Sequence, residues 1–302
     1  IVIGCPRALT HRLVHIRVCR PIRWGRCMNI LEEPKIDCHA HVLDPARFPY
    51  GKDIAYKPAG QEAGTTAQLV AVMKTFGVKH VLLVQPNSGY GRDNSCMFDA
   101  IARYPNLFKG VAIADLDSDL ATLRALKEQG VVGIALNATF HGTEYYARSA
   151  GLFEKLAELG MFAQLQVEHD QLKTFVPLIR QIPVSVLIDH CGRPTANAGL
   201  GQPGFADLLD LAETGRVHVK LSGYAKFSRM PYPFEDTLPY VRALVDAFTL
   251  ERLMWASDWP YLRATERQDY GPLVRLVQDL FPDPAGRRML LWDTPARLFG
   301  FG

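Results

Sequence analysis

The chain is expected to fold as a single (β/α)8 barrel. Three observations predict it. Eight short apolar, β-branched runs alternate with longer segments of helical spacing. The 302 residues suit one domain of roughly 250 residues. No G-x-G-x-x-G or Walker A loop follows any run, which removes the commonest functions of an open doubly wound sheet and any nucleotide cofactor.

The eight runs are Lys35–His41, Val78–Gln85, Phe108–Ala114, Val131–Ala138, Met161–Val167, Val184–His190, Arg216–Gly223 and Arg252–Asp258. Between them lie i, i+3, i+4 apolar sets, such as Leu120-Leu123-Leu126, Leu152-Phe153-Leu156-Leu159 and Phe205-Leu208-Leu209-Leu211. Gly77, Gly130, Gly160 and Gly215 each precede a strand, as glycines that end helices do. Residues 44–64 break the rhythm. They are rich in Pro, Gly and aromatics, including Phe48, Tyr50 and Tyr56. A loop after the first barrel strand lies on the catalytic face, so this one is a candidate lid, its aromatics either closing over a ring or pinning the loop to the barrel.

Composition narrows the function. Residues 1–27 hold six arginines and no acidic residue, and are read as an extension outside the fold, with the barrel over 28–302. The net charge of +3 belongs to that stretch, since the remainder carries −3. No basic face for nucleic acid is implied. No apolar stretch is long enough to span a membrane. Six scattered cysteines and no export signal lead us to expect a cytoplasmic enzyme without a disulfide framework. The sequence carries no clear signal of oligomeric state.

Three segments carry chemistry. In Asp37-Cys38-His39-Ala40-His41, strand alternation puts Asp37, His39 and His41 on one face. Two imidazoles converging above a barrel lumen suit either metal ligation or a grip on a carbonyl oxygen. In Ile188-Asp189-His190-Cys191-Gly192-Arg193-Pro194, an apolar strand ends in Asp-His and breaks, placing His190 where barrel enzymes keep catalytic groups. In Trp255-Ala256-Ser257-Asp258-Trp259-Pro260, Asp258 ends the last strand, as a metal ligand, a general base or a helix cap.

With these motifs in this order, the sequence resembles the amidohydrolase superfamily. Within it, it is similar to the amidohydrolase-2 group of 2-pyrone-4,6-dicarboxylate lactonases, 4-sulfomuconolactone hydrolases and sugar lactonases. The likeness runs from about Lys35 to the C-terminus and takes in Val84-Gln85-Pro86-Asn87 and Asp93-Asn94. The resemblance implies a hydrolase of carboxylic esters that opens a lactone ring. In it, His39, His41 and His190 polarise the carbonyl and Asp258 takes a proton from water. It also implies a choice about metal. Metal-dependent members keep a histidine at the end of the fifth strand. Here Gln166 takes that position and His169 falls later. Two mechanisms stay open: one divalent ion such as Zn²⁺ on His39, His41 and Asp258, or none, as in the pyrone-dicarboxylate lactonases.

The expected partner is a small lactone or carboxylic acid. Its contacts are expected from Asn94, Asn137, Gln166, Arg193, Lys220, Ser222, Tyr224 and Lys226, with Arg92, Arg148 and Arg229 as further cations. A lysine within a barrel strand, as Lys220 is, either reaches the site or hides in an ion pair. Asn137 stands where the pyrone-dicarboxylate lactonases carry arginine. The alternatives are a metal-dependent decarboxylase of the same superfamily and, in another class, a barrel that only binds.

Overall fold

A computed structural model describes residues 29–302. The extension expected over 1–27 lies outside the described residues. Eight parallel strands pair in sequence order: β1 Lys35–Ala40, β2 Val78–Val84, β3 Phe108–Ala112, β4 Val131–Asn137, β5 Phe162–Gln166, β6 Ser185–Ile188, β7 Val217–Leu221 and β8 Leu253–Trp255. Each lies inside its expected run. Past the last strand the ring closes just above the ladder, where Asp258 N–H donates to His39 O and His41 N–H donates to Trp259 O, both at 2.8 Å. The chain is a (β/α)8 barrel.

Helices pack outside the sheet because their apolar stripes match its outward face. Ala150–Leu159, for instance, buries Leu152, Phe153, Leu156 and Leu159. The helix Thr66–Phe76 starts on a capping box between Thr65 and Gln68 and ends at Gly77. Only glycine suits that end: φ is +70° and a Cβ would fall 2.1 Å from Leu31 O. Two apolar layers result. The larger lies between strands and helices. The smaller fills the lumen with Ile36, Cys38, Leu82, Val84, Val111, Leu187 and Met254, and Phe299 and Phe301 close its lower end beside Phe162. Truncating buried Phe299 to Ala would cost about 3–5 kcal/mol. The plug below leaves the C-terminal ends of the strands as the open face.

Among the described residues, no helix is long and apolar enough to cross a membrane.

Candidate active site

Strict alternation along β1 fails at one point, and the failure shapes the site. The β1–β2 register shifts between Asp37 and Ala40. Ile36 and Cys38 both belong to the lumen layer, yet His39 also turns inward. Asp37 therefore does not share a face with His39 and His41, contrary to the expectation from a regular strand; the irregularity resets the alternation. Asp37 points toward the outer layer instead. It accepts from Ser257 N (2.9 Å), Ser257 Oγ (2.5 Å) and Tyr270 OH (2.8 Å). Burial raises its pKa, against the opposing effect of the Ser257 bonds. Its work is to fix the segment that bears Asp258.

His190 and Asp258 both sit just beyond strand ends, in left-handed backbone with φ of +51° and +62°. Such conformations are strained for residues bearing a Cβ and collect at functional sites. Asp258 Oδ1 lies 3.5 Å from His41 Nε2, 3.7 Å from His39 Nε2 and 3.7 Å from His190 Nε2. Its Oδ2 lies 2.9 Å from Lys226 Nζ. Gly223 makes room for this packing: a Cβ there would meet the His190 ring at 2.6 Å.

Charge follows from the surroundings. Burial opposes ionisation of Asp258, but Lys226, His190 and His41 outweigh it and hold the carboxyl well below its usual range. Burial pulls His39 down to about 4, with Asp189 opposing and Lys220 assisting. Burial likewise puts His190 well below its ordinary value, against Asp258. At neutral pH an anionic carboxylate therefore faces neutral His39 and His190. His41 Nδ1 lies 2.7 Å from Val84 O, which only accepts, so Nδ1 carries a proton and Nε2 is the atom that faces the site.

A second tier lies beneath. Lys220 Nζ donates to Gln164 Oε1 at 2.7 Å and lies 3.0 Å from Asp189 Oδ1 and 3.2 Å from His39 Nδ1. Gln164 Nε2 donates to Asp189 Oδ2 at 2.9 Å, and Asp189 Oδ1 lies 3.2 Å from His39 Nδ1. Lys220 is fully buried. It both points into the lumen and hides in an ion pair, so it holds His39 and Asp189 and does not reach the cavity wall. Ser222 is also absent from the wall, its Oγ spent on His190 Nδ1 at 3.0 Å.

Above the cluster opens a cavity of about 570 Å³. Of the residues expected to touch substrate, Asn137, Gln166, Arg193, Tyr224 and Lys226 line it, as do His41, His190 and Asp258. Asn94 does not. Its amide is consumed by the backbone, donating to Arg92 O and Ile113 O and accepting from Ile113 N. Arg92, Arg148 and Arg229 lie off the wall as well. So does every residue of 44–64, and that loop meets the cavity wall at Arg263, which Tyr56 and Glu62 hold. Phe48 and Tyr50 pack on the core. Tyr56 lies under the Arg263 guanidinium, 4.5 Å from ring centre to Cζ. Its aromatics therefore pin the loop. The wall also contains Asp189, from the segment that bears His190, and Gln164, Thr139, Tyr261 and Arg263, which the sequence reading passed over. For Gln164 the missed signal was two glutamines two apart on one strand face.

The donor set fits one divalent ion. His39, His190 and Asp258 offer atoms all within 4.8 Å of one another. Two ligands about 2.1 Å from a tetrahedral zinc stand roughly 3.4 Å apart, so the 3.7 Å separations from Asp258 lie close to that spacing. His190 thus replaces His41 in the compact trio, while His41 flanks Asp258 with Nε2 3.5 Å from Oδ1. Neither expected fifth-strand candidate joins them. Gln166 Nε2 donates to Thr139 Oγ1 at 3.2 Å, and His169 Nδ1 bonds Thr195 Oγ1 at 2.9 Å, off the wall.

Residues 36–301 match the family model described as amidohydrolase. The 4-sulfomuconolactone hydrolase of Rhizobium radiobacter is 34% identical over 274 residues, spanning 87% of this chain and 89% of that protein. The 2-pyrone-4,6-dicarboxylate hydrolase of Comamonas testosteroni is 27% identical over 278 residues, spanning 87% and 89%. A crystal structure of the probable 2-pyrone-4,6-dicarboxylic acid hydrolase of Acinetobacter baumannii, with citric acid bound, shares the fold: TM-score 0.78 at 24% identity, over 88% of this chain and 99% of that one.

Proposed function

Because the chain belongs to the amidohydrolase family, we propose that it is a hydrolase that opens the ring of a small lactone. The observation that carries this is the convergence of three imidazole Nε2 atoms on Asp258 Oδ1, at 3.5–3.7 Å, at the floor of a polar cavity. An ionised, buried carboxylate beside neutral imidazoles is equipped for general-base work at neutral pH. The names of the two relatives above, both hydrolases of cyclic esters, support the same reading.

In this proposal Asp258 accepts a proton from water as the water attacks the lactone carbonyl. The ring C–O bond then breaks, and Asp258 returns that proton to the departing oxygen. Lys226 keeps the carboxylate ionised between turns. Lys220 and Asp189 hold the His39 ring, and Ser222 holds His190. His39, His190 and Asp258, flanked by His41, would hold a divalent ion. When bound, such an ion supplies Lewis-acid polarisation of the carbonyl. A lactone ester is electrophilic enough to need no second ion.

The metal-dependent decarboxylase fits less well, since Gln166, tied to Thr139, stands where it needs a ligand. A cytoplasmic setting is part of the proposal. Cys38, Cys96 and Cys191, all buried and free, support it.

The test is acid release from a panel of lactones, with and without prior chelation. Ring opening of at least one lactone at enzymatic rates is expected. Release of CO₂ from aromatic acids, with no lactone opened, would overturn the proposal.

A further inference from the structure

The cavity wall divides by charge. Among the described residues three cations line it: Arg193, Lys226 and Arg263. Arg193 is paired with Glu168 at 2.9 Å and Lys226 with Asp258 at 2.9 Å. The remaining carboxylate of the wall, Asp189, is answered from beneath by Lys220 at 3.0 Å. That leaves Arg263, whose guanidinium makes no ion pair among the described residues. Its side chain is exposed at the cavity mouth, yet three features hold the residue in place. Its backbone N–H donates to Glu62, its guanidinium stacks on Tyr56, and its backbone is left-handed at φ +57°. Tyr261, two residues earlier, is also left-handed, at φ +70°. Two such residues together are strained and persist where the fold needs a particular presentation. The Tyr261 hydroxyl is buried and lacks a hydrogen-bond partner, although the residue lines the cavity.

Across the barrel from β8, the wall changes character. Asn137 Nδ2 donates to Asn87 Oδ1 (3.1 Å), Thr139 Oγ1 to Asn137 Oδ1 (2.7 Å) and Gln166 Nε2 to Thr139 Oγ1 (3.2 Å). This connected row of amides and a hydroxyl runs over the ends of β2, β4 and β5. No cation stands in it. Arg92, the nearest in sequence, is paired with Asp115 and lies off the wall. Neutral amides match hydroxyls and carbonyls, which both donate and accept. They do not repay the removal of a carboxylate from water as a guanidinium does.

We infer that the substrate carries a single anionic group, docked on Arg263, and that its remaining substituents are neutral and hydroxylated and lie along the Asn87–Asn137–Thr139–Gln166 row. This rests on the lactone reading and adds to it the class of lactone, and it separates this chain from relatives named for a dicarboxylate. Arg263 is then the residue that selects for charge, and the amide row selects against a second charge.

Binding tests the subsite independently of turnover. Calorimetry on the full chain would compare D-galacturonate, a hydroxylated ring with one carboxylate and no ester, with isophthalate, a planar dianion. Galacturonate is expected to bind at least about tenfold more tightly. Arg263→Gln should weaken it about tenfold, and Arg263→Lys should keep part of the affinity. Asn137→Arg should raise isophthalate affinity about tenfold. Tighter binding of isophthalate by the native chain, indifference of galacturonate to Arg263→Gln, or no galacturonate binding would each overturn the inference. In turnover, Arg263→Gln should raise KM for D-glucaro-1,4-lactone, a monoanion, at unchanged kcat. It should raise KM for the neutral D-glucono-1,5-lactone far less, and an equal loss on both would also overturn it. Galacturonate binding as expected, with no lactone opened, would uphold the subsite and remove the hydrolase reading alone.

Discussion

Lys226 Nζ lies 2.9 Å from Asp258 Oδ2, while Oδ1 of the same carboxylate faces three imidazoles at 3.5–3.7 Å. Each oxygen thus has its own task. One is neutralised by a lysine, and the other faces the imidazoles.

Replacing Lys226 by Met removes the leading influence that offsets burial at Asp258. The carboxyl pKa then rises, and the base is lost at a higher pH as acid is added. The acid limb of kcat/KM should move up by about one pH unit or more. Activity at pH 7, well above that limb, should fall far less than activity near it, and Lys226→Arg should return the limb toward its native position. A pH–rate profile decides. An unshifted limb would mean that Lys226 does not act on Asp258.

The Lys220–Asp189 pair makes a stability prediction. Both side chains are buried, so Lys220→Met strands a charge and should cost about 3–5 kcal/mol. The double variant Lys220→Met with Asp189→Asn should recover part of that loss. Denaturant midpoints for the two single variants and the double measure the coupling. Simple additivity would show that the two residues do not act as a pair.

His218 gives a pH dependence away from the site. Burial pulls its pKa to about 4 from an ordinary 6.5. Between these values the unfolded chain binds a proton that the folded chain refuses, so stability falls as pH drops from about 6.5 to 4. The full difference is roughly 3 kcal/mol. His39, also pulled to about 4, adds to the same trend. Urea unfolding at pH 7 and 4.5 should show a smaller drop for His218→Gln than for the native chain. An equal drop would place the acid sensitivity elsewhere.

Much of this architecture is written in local pattern. The eight runs were legible because parallel barrel strands are buried on both faces and stand out as apolar stretches. The observed strands stop short of the runs at β6 and β8 because His190 and Asp258 turn out of the ladder into left-handed backbone. The four catalytic candidates were legible as side chains at strand ends. Asp37 was misplaced because an irregularity in register leaves no mark in composition. Lys220 and Ser222 were placed one layer too high because alternation gives the face of a strand and not the depth in the barrel. Asn94 was misjudged for another reason: whether a loop group meets substrate or backbone depends on contacts distant in sequence, such as Asn94 with Ile113. Arg263 was missed for the same reason. Its presentation depends on Tyr56 and Glu62, some 200 residues earlier in the chain.

The most direct measurement is turnover of one opened lactone by Asp258→Asn beside the native chain, with thermal midpoints recorded for both. The account predicts a fall in kcat of about 10²–10⁴-fold, with a midpoint within a few degrees of native. Near-native turnover in a folded Asp258→Asn protein would contradict it, because among the described residues no other carboxylate of the cavity faces the three imidazoles as Asp258 does.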